Sequence, residues 1–206
     1  MASNRDTMAL PLLPAAAIVY PGMKVSLHVR EERFRRVVAE CLHHDVPLGV
    51  VWKREEVPPG DPLVLASVGT VARVLKTQRL LDGRLSVTLA GVARFQLINW
   101  RQGTRLVAGQ VRLLPDLDER PGRPLSDEAY ALASECEALA LEPGEAPYLP
   151  QDPEALSYWI AHRLPLPVAD QQTLLEQPSL SERLSYEVTL LRRMIDDARL
   201  PPRRSP

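Results

Sequence analysis

The chain has little of several residue types, and each shortage narrows what it can be. Two cysteines, Cys41 and Cys136, in 206 residues are too few for a fold held together by disulfides. Both lie on apolar faces of predicted helices, so we expect buried free thiols in a reducing compartment. Lysine occurs only at positions 24, 53 and 76, so nearly all positive charge is arginine. The formal net charge of -1 excludes a whole-protein field that would attract nucleic acid or anionic lipid.

Long apolar runs are missing as well. No stretch reaches the roughly 20 apolar residues of a membrane-spanning helix. The early run over residues 10–20 is interrupted by Pro11 and Pro14 and lacks a basic region before it. We therefore expect no signal peptide, no membrane partner and a cytoplasmic location.

The sequence also lacks the common catalytic motifs. It has no G-x-x-x-x-G-K-S/T phosphate loop, no H-E-x-x-H, no C-x-x-C and no G-x-S-x-G. His43 and His44 next to Asp45 have the chemistry of metal ligands. Adjacent helical residues point about 100° apart, however, so we interpret this stretch as a polar helix end. The expectation is a protein that is not an enzyme and carries no metal or cofactor.

A β-rich stretch over residues 68–96 is the centre of what the sequence does contain. Leu85, Val87 and Leu89 alternate with polar residues, which is the period of a strand with one buried face. Asp82-Gly83 suits the turn between two arms. Gly69 and Gly91 lie inside the arms, where glycine marks a bulge or a close backbone approach. The stretch predicts a strongly curved antiparallel sheet.

Other elements follow from the same reasoning. Before the hairpin we predict a short edge strand over residues 10–14, a strand over 25–29, a helix over 31–44 with an apolar stripe, and a strand over 48–52. A strand over 106–114 follows it. The helix stripe is Phe34, Val37, Val38, Cys41 and Leu42.

The composition changes after residue 115, where strand signals end. We predict helices that begin at Ser126, Asp152, Asp170 and Ser179. Pro153 follows one of these caps, and Glu182 completes a capping box with Ser179. Trp159 falls on an apolar stripe and is expected in the core. The organisation is α+β, with a β domain over residues 1–115 and a helical domain over 116–206.

The order of several short patterns resembles the N-terminal domain of Lon proteases. The first patterns are residues 10–12, 20–23 and 27–34, which read Leu-Pro-Leu, Tyr-Pro-Gly-Met and Leu-His-Val-Arg-Glu-Glu-Arg-Phe. The second are residues 68–72, 82–83 and 91–95, and the helical half is also similar. Ser26 stands where the family often has proline. The resemblance implies a PUA-like β pseudo-barrel with one packed helix, followed by a helical bundle.

The same resemblance implies a non-catalytic module that binds unfolded polypeptide or a protein partner. All lysines lie within the first 76 residues, so a C-terminal Ser-Lys dyad has no place, and we expect a stand-alone protein without ATPase or protease domains. The alternative is RNA binding by the PUA-like barrel. Arg33, Arg35 and Arg36 could contact phosphate, but they share their helix with glutamates, which favours a solvated mixed-charge surface. Nucleic acid is not expected as a partner, and a weak homo-oligomer is left open.

The predicted binding surface is a concave junction between the β part and the helical part. Tyr20, Met23, Trp100 and Tyr148 are the predicted peptide-binding residues, because aromatic and methionine side chains bury much area and adapt to varied partners. The alternative is that these four side chains only pack in the interior, where they would hold the β part and the helical part together.

Overall fold

The computed structural model describes residues 7–53, 64–103, 106–117, 121–139 and 148–199. In these residues the strands are β1 (Thr7–Ala15), β2 (Lys24–Val29), β3 (Leu48–Lys53), β4 (Leu65–Arg79), β5 (Leu85–Gln102) and β6 (Val107–Leu113). The helices are α1 (Glu32–His44), α2 (Arg123–Ala138), α3 (Pro153–Arg163), α4 (Val168–Glu176) and α5 (Leu180–Arg199). No helix in the described residues is long and apolar enough to cross a membrane.

The chain forms two compact units. The first comprises Met1–Pro115 and Pro165–Glu176, and the second comprises Asp116–Leu164 and Gln177–Pro206. The first unit thus takes in α4, which lies within the range that the sequence analysis assigned to a helical domain. Both sheet and helices are present, so the α+β class is confirmed.

The sheet of the first unit closes on itself. Its strand order is β2-β5-β4-β3-β1-β6, and β5 also pairs with β6. Five strands therefore form a ring, and β2 is attached outside it on β5. Each pairing is antiparallel except that of β1 with β3. This ring is the curved sheet that the sequence predicts.

Two glycines permit the curvature. A Cβ atom on Gly69 would lie 2.5 Å from the carbonyl oxygen of Val50 and 2.6 Å from the ring of Phe95. A Cβ atom on Gly91 would lie 2.1 Å from the carbonyl oxygen of Tyr20. Real Cβ atoms do not approach other atoms so closely, so only glycine fits at either place. The predicted close backbone approaches are confirmed.

β1 is not the edge strand that its prolines predict. Its first part pairs with β6 up to Leu12, and its last part pairs with β3 from Leu12 onward. Pro11 pairs only with β6 and Pro14 only with β3, so each proline has a free side at its own position. A missing N–H is tolerated on such a side. The expectation was wrong because β1 changes partners at its middle, which a local pattern cannot show.

α1 covers the ring with the predicted face, with one exception. Phe34, Val37, Val38 and Cys41 are buried, but Leu42 is 40% exposed. The helix ends at Asp45, which adopts a left-handed conformation with φ 50°. Leu42 therefore lies at the rim of the stripe rather than inside it.

Side-chain hydrogen bonds join α4 to the ring. The donors and accepting carbonyls are Tyr20 Oη to Gln171 (2.8 Å), Arg94 Nη1 to Leu175 (3.0 Å) and Gln172 Nε2 to Val68 (3.0 Å). All three residues that donate are buried. These bonds explain why α4 belongs to the first unit although it lies far along the chain. Asp170 is inside α4 rather than at its cap.

The second unit contains α2, α3 and α5. Two predicted caps are confirmed: Asp152 Oδ2 accepts from the Ala155 N–H at 3.1 Å, and Ser179 Oγ accepts from the Glu182 N–H at 3.1 Å. α2 begins earlier than predicted, because Arg123 and the following proline occupy its first turn, where proline is tolerated. The predicted start at Ser126 was wrong.

The apolar face of α3 also differs from the prediction. Tyr158 is buried, whereas Trp159 is half-buried and has the guanidinium of Arg163 5.1 Å from its ring centre. The prediction that Trp159 lies in the core was wrong, because the preceding residue, Tyr158, occupies the interior position instead.

Candidate functional site

A groove opens in the first unit beside β2. It lies between the end of β1, the outer edge of β2 and the start of α1, and its volume is about 580 Å³. Leu13, Val29 and Phe34 line it with buried apolar side chains. A cleft of this size, apolar at its base, is typical of ligand sites. It is the main candidate site in the described part of the chain.

The position of β2 follows from one turn of the backbone and two hydrogen bonds. The chain enters β2 through Pro21 and Gly22, and Gly22 has a φ of 75° that favours glycine. The Gly22 N–H donates to the Gly91 carbonyl at 3.0 Å, and the Gly91 N–H donates to the Met23 carbonyl at 2.9 Å. These bonds fix β2 on β5 in one register. Among the described residues, β2 pairs with β5 alone, so its other edge faces the groove.

The rim of the groove carries more positive than negative charge. Among the described lining residues, Arg30, Lys53 and Arg84 are cationic and Glu31 is the single carboxylate. Arg84 also holds Asp82 through a bond of 2.5 Å, and this hydrogen bond lowers the pKa of the Asp82 carboxyl. The groove therefore combines an apolar base with a basic rim.

Two more clefts continue from the groove along α1 and the β4–β5 hairpin. Arg30 and Arg84 line both the groove and the cleft at the hairpin turn, and Arg35 lines that cleft and the one along α1. Within α1, Arg35 lies 2.5 Å and Arg36 lies 3.3 Å from carboxylate oxygens of Glu32. The arginines of the helix are thus paired with acidic neighbours, as expected of a mixed-charge surface.

The four predicted peptide-binding residues have different surroundings. Tyr20 is 1% exposed, and its hydroxyl donates to the carbonyl of Gln171. Met23 and Trp100 are half-buried, and Trp100 packs against the apolar core of the ring. Tyr148 is 88% exposed and belongs to the second unit. The burial of Tyr20 agrees with the interior alternative, and the binding role of the four stays a prediction.

Comparison with known proteins identifies the family. A sequence model of the ATP-dependent protease La (LON) substrate-binding domain matches residues 9–193. The chain belongs to this family. Lon protease of Escherichia coli strain K12 is 29% identical over 200 residues, which cover 93% of this chain. Lon protease 2 of Thermus thermophilus is 29% identical over 195 residues, which cover 88% of it.

The chain covers only part of the length of those Lon-family relatives. It spans about 25% of the E. coli protein and 24% of the T. thermophilus protein. The crystal structure of a Lon N-terminal domain protein from Xanthomonas campestris matches 88% of this chain and 98% of its own, with a TM-score of 0.67 and 26% identity. The N-terminal domain of Mycobacterium avium complex Lon protease matches 90% and 98%, with a TM-score of 0.67 and 20% identity. These matches confirm the resemblance and the fold class.

The Lon-family signatures converge on the base of β2. The turn after Tyr20 and the glycine that opens residues 91–95 are the segments that hydrogen-bond to each other. Arg94 of the second signature is buried and bonds the carbonyl of Leu175. The signatures therefore build the ring and set the edge of β2, and residues 27–34 of the first signature also line part of the groove beside that edge.

Metal and nucleophile candidates are weak in this Lon-family chain. No group of three or more His, Cys, Asp or Glu side chains in the described residues could hold a metal ion. The rings of His43 and His44 contact each other edge to face, 4.8 Å apart. Burial raises the pKa of both the Cys41 and Cys136 thiols. Protonated thiols are poor nucleophiles and poor metal ligands.

A buried polar network in the second unit escaped the sequence analysis. Arg183, fully buried, bonds Asp116 at 2.9 and 3.2 Å and donates to Ser157 Oγ at 2.7 Å. Ser157 donates in turn to Glu187 Oε1 at 3.0 Å, and the guanidinium lies 4.4 Å from the Tyr158 ring centre. The sequence does contain one sign of this network, because Arg183 and Glu187, which carry opposite charges four residues apart, occupy the apolar stripe of α5. Their partners lie on other segments and cannot be read locally.

The pKa of the Glu187 carboxyl is raised in this network. Burial raises the pKa of its carboxyl well above the ordinary value, against the lowering effects of the Arg183 charge and the Ser157 hydrogen bond. Its Oε2 atom has no hydrogen-bond partner among the described residues. Arg183 already has a carboxylate partner in Asp116, so a neutral Glu187 leaves no buried charge uncompensated. We assign the network to the stability of the second unit.

Proposed function

We propose that this chain is a non-catalytic module that binds polypeptide. The observation that carries the proposal is the groove beside β2, apolar at its base and open along a strand edge, in a chain that belongs to the Lon substrate-binding family. A strand edge binds extended peptides through backbone hydrogen bonds, which accept many sequences. Breadth of this kind suits a protein that handles unfolded chains.

The chemistry of the described residues supports binding rather than catalysis. A reaction would need a nucleophile beside a base, or a pair of carboxylates with separated pKa values, in a cleft. The groove brings together Arg30, Lys53, Arg84 and Glu31, which can bind and orient a ligand. Ser26 and His28 line it too, but the Ser26 hydroxyl lies 3.4 Å from a hydroxyl of β5 and, among the described residues, does not bond His28. The protease activity of the named relatives belongs to proteins of which this chain spans about a quarter.

Binding to an unfolded protein is the direct test. Fluorescein-labelled lactalbumin, reduced and carboxymethylated so that it cannot refold, is titrated with the chain and followed by fluorescence anisotropy. Native disulfide-bonded lactalbumin is the matched control. We expect saturable binding of the unfolded form and none of the native form. Equal binding of both forms, or of neither, would refute the proposal.

RNA binding is the second candidate, because Arg30, Arg35 and Arg84 line connected clefts. A phosphate-based interaction releases counterions, so its affinity falls steeply as salt rises. Binding to an apolar groove changes little with salt. The same titration at three salt concentrations, with a single-stranded RNA in parallel, distinguishes the two.

Trp100 and Tyr148 stay proposed peptide contacts, since both present part of a large aromatic side chain to solvent. A β domain over residues 1–115, a helical domain over 116–206 and the cytoplasmic location also stay proposals. A pull-down from native cytosol, with and without nuclease treatment, tests the partner class.

A further inference from the structure

We propose that an extended segment of an unfolded polypeptide binds by pairing, as an added strand, with the outer edge of β2. The inference rests on the proposed polypeptide-binding function and specifies how that binding occurs. It commits to a segment in which apolar residues alternate with acidic ones. Three features of the groove support it: backbone groups of β2 that pair with no other described strand, the side chains beside them and the charge of the rim.

The backbone groups that face the groove follow from the strand register. In antiparallel pairs, hydrogen-bonded and non-bonded positions alternate. Met23 bonds Gly91 through its carbonyl, so the bonded positions continue to every second residue of β2. The N–H and C=O groups of Lys24, Ser26 and His28 are then directed away from β5. A cross-strand contact of 3.4 Å between the hydroxyls of Ser26 and its partner on β5 agrees, since side chains are closer at non-bonded positions.

The length of this edge sets the length of the bound segment. Three outward residues between Lys24 and His28 span roughly 13 Å at about 3.3 Å per residue. They can pair with a segment of about five residues. A stretch so short is found in nearly any unfolded chain. It is also too short to favour stable pairing between copies of this protein, since short edge strands resist such association.

The walls of the groove fit alternating side chains. Val25, Leu27 and Val29 direct their side chains toward the interior of the unit, while Ser26 and His28 are exposed. An added strand therefore has one face toward the buried side, where Leu13 and Phe34 line the groove. Its other face is open to water. Apolar residues at every second position of the ligand would cover the base of the groove.

The positive charge of the rim favours acidic residues at the remaining positions of the bound segment. Among the described lining residues, Arg30, Lys53 and Arg84 outnumber Glu31, and Arg30 and Lys53 remain in excess when the pairing of Arg84 with Asp82 is counted. Acidic side chains on the bound segment would therefore meet opposite charge along the rim, while basic ones would be repelled. RNA would satisfy the same cations, but it would leave the N–H and C=O groups of β2 without a matching partner. The strand edge thus favours polypeptide over nucleic acid.

One substitution tests the edge directly. Proline at position 26 removes an outward N–H and places a ring where the added strand would lie, and it takes no hydrogen bond from the β2–β5 pair. Ser26→Ala is the matched comparator, because it loses the same hydroxyl but keeps the N–H. The probe is a fluorescein-labelled eight-residue peptide in which valine alternates with glutamate. We expect the Kd of Ser26→Pro to exceed that of Ser26→Ala about tenfold or more.

A second measurement does not depend on the folding of any variant. Amide exchange of the wild-type protein, resolved by residue with NMR, is compared with and without the peptide. We expect slower exchange at Lys24, Ser26 and His28 and little change at Val25 and Leu27, which already bond to β5. Absence of this alternation would overturn the proposal. A peptide with lysine in place of glutamate should bind several-fold more weakly, and equal binding would overturn the assignment of the rim.

The outcomes separate this proposal from the function on which it rests. If Ser26→Pro and Ser26→Ala bind unfolded lactalbumin equally, polypeptide binding stands and pairing at β2 is rejected. If the wild-type protein binds no unfolded protein, both are rejected. Protection of β2 that appears at high protein concentration without peptide, together with a dimer in analytical ultracentrifugation, would show that a second copy occupies the edge and would also overturn the proposal.

Discussion

Removing the side chain of Tyr20 should destabilise the first unit rather than simply weaken ligand binding. The side chain is 1% exposed and its hydroxyl bonds the Gln171 carbonyl at 2.8 Å. Truncation of a buried aromatic residue to alanine costs about 3–5 kcal/mol. Tyr20→Phe removes only the hydrogen bond and should cost about 1 kcal/mol. Since whole domains are stable by about 5–15 kcal/mol, the alanine variant approaches the limit of folding.

The assay should follow the first unit separately from the second. Trp52 and Trp100 lie in the first unit and Trp159 in the second, so a Trp159→Phe background makes tryptophan fluorescence report the first unit. With a urea m-value of about 2 kcal/mol/M, a loss of about 4 kcal/mol lowers the urea midpoint by about 2 M. Tyr148→Ala, at an 88% exposed site, is the control and should change stability by less than about 0.5 kcal/mol.

The result that would refute this reasoning is a Tyr20→Ala midpoint equal to that of Tyr148→Ala. Tyr20 would then not be interior in solution, and the α4 contacts would not hold the first unit together. Retained stability with lost binding of unfolded lactalbumin would instead show that Tyr20 is a ligand contact, as the sequence first predicts.

Three further predictions concern single side chains. The pKa of Glu187 is higher in the folded state, so its contribution to stability is complete below about pH 4.3 and is lost as pH rises through the folded pKa. The urea midpoint of Glu187→Gln, relative to wild type, should therefore rise over that window. Gly91→Ala forces a methyl group against the Tyr20 carbonyl and should cost at least about 1–3 kcal/mol by the same measurement. Trp100→Ala should lower the affinity for unfolded lactalbumin in the anisotropy titration if Trp100 is a peptide contact, and unchanged affinity would leave it a packing residue.

Sequence patterns correctly predicted the strands and helix caps that depend only on residues close together in the chain. The alternation of Leu85, Val87 and Leu89, and the caps at Asp152 and Ser179, depend on residues a few positions apart, and the structure contains all of them. The edge assignment of β1 failed because Pro11 and Pro14 each have a free side that only the partner strands define.

The candidate site was less accessible to sequence reasoning than the fold. Tyrosine is a residue type common at binding surfaces, so the sequence suggests a contact at Tyr20. Only the hydrogen bond between its hydroxyl and the Gln171 carbonyl shows that it is interior. The groove depends on β2 having a single partner among the described strands, which is a property of topology. Ser26 and His28 carry no chemical signature of binding, because what they offer is their own backbone N–H and C=O groups. A search by side-chain type therefore passes over this edge.

The placement of α4 has a consequence for the order in which the protein can fold. β1 pairs with β6 about one hundred residues later, and α4 joins the same unit from Pro165–Glu176. A ribosome that has released the whole ring still has Asp116–Leu164 to make before it reaches the last piece of the first unit. The first unit therefore cannot finish folding before most of the second unit has been synthesised. Contacts so distant in sequence also form slowly. During synthesis the hydrogen bonds of Tyr20 and Arg94 to α4 can form only after that later stretch has been made.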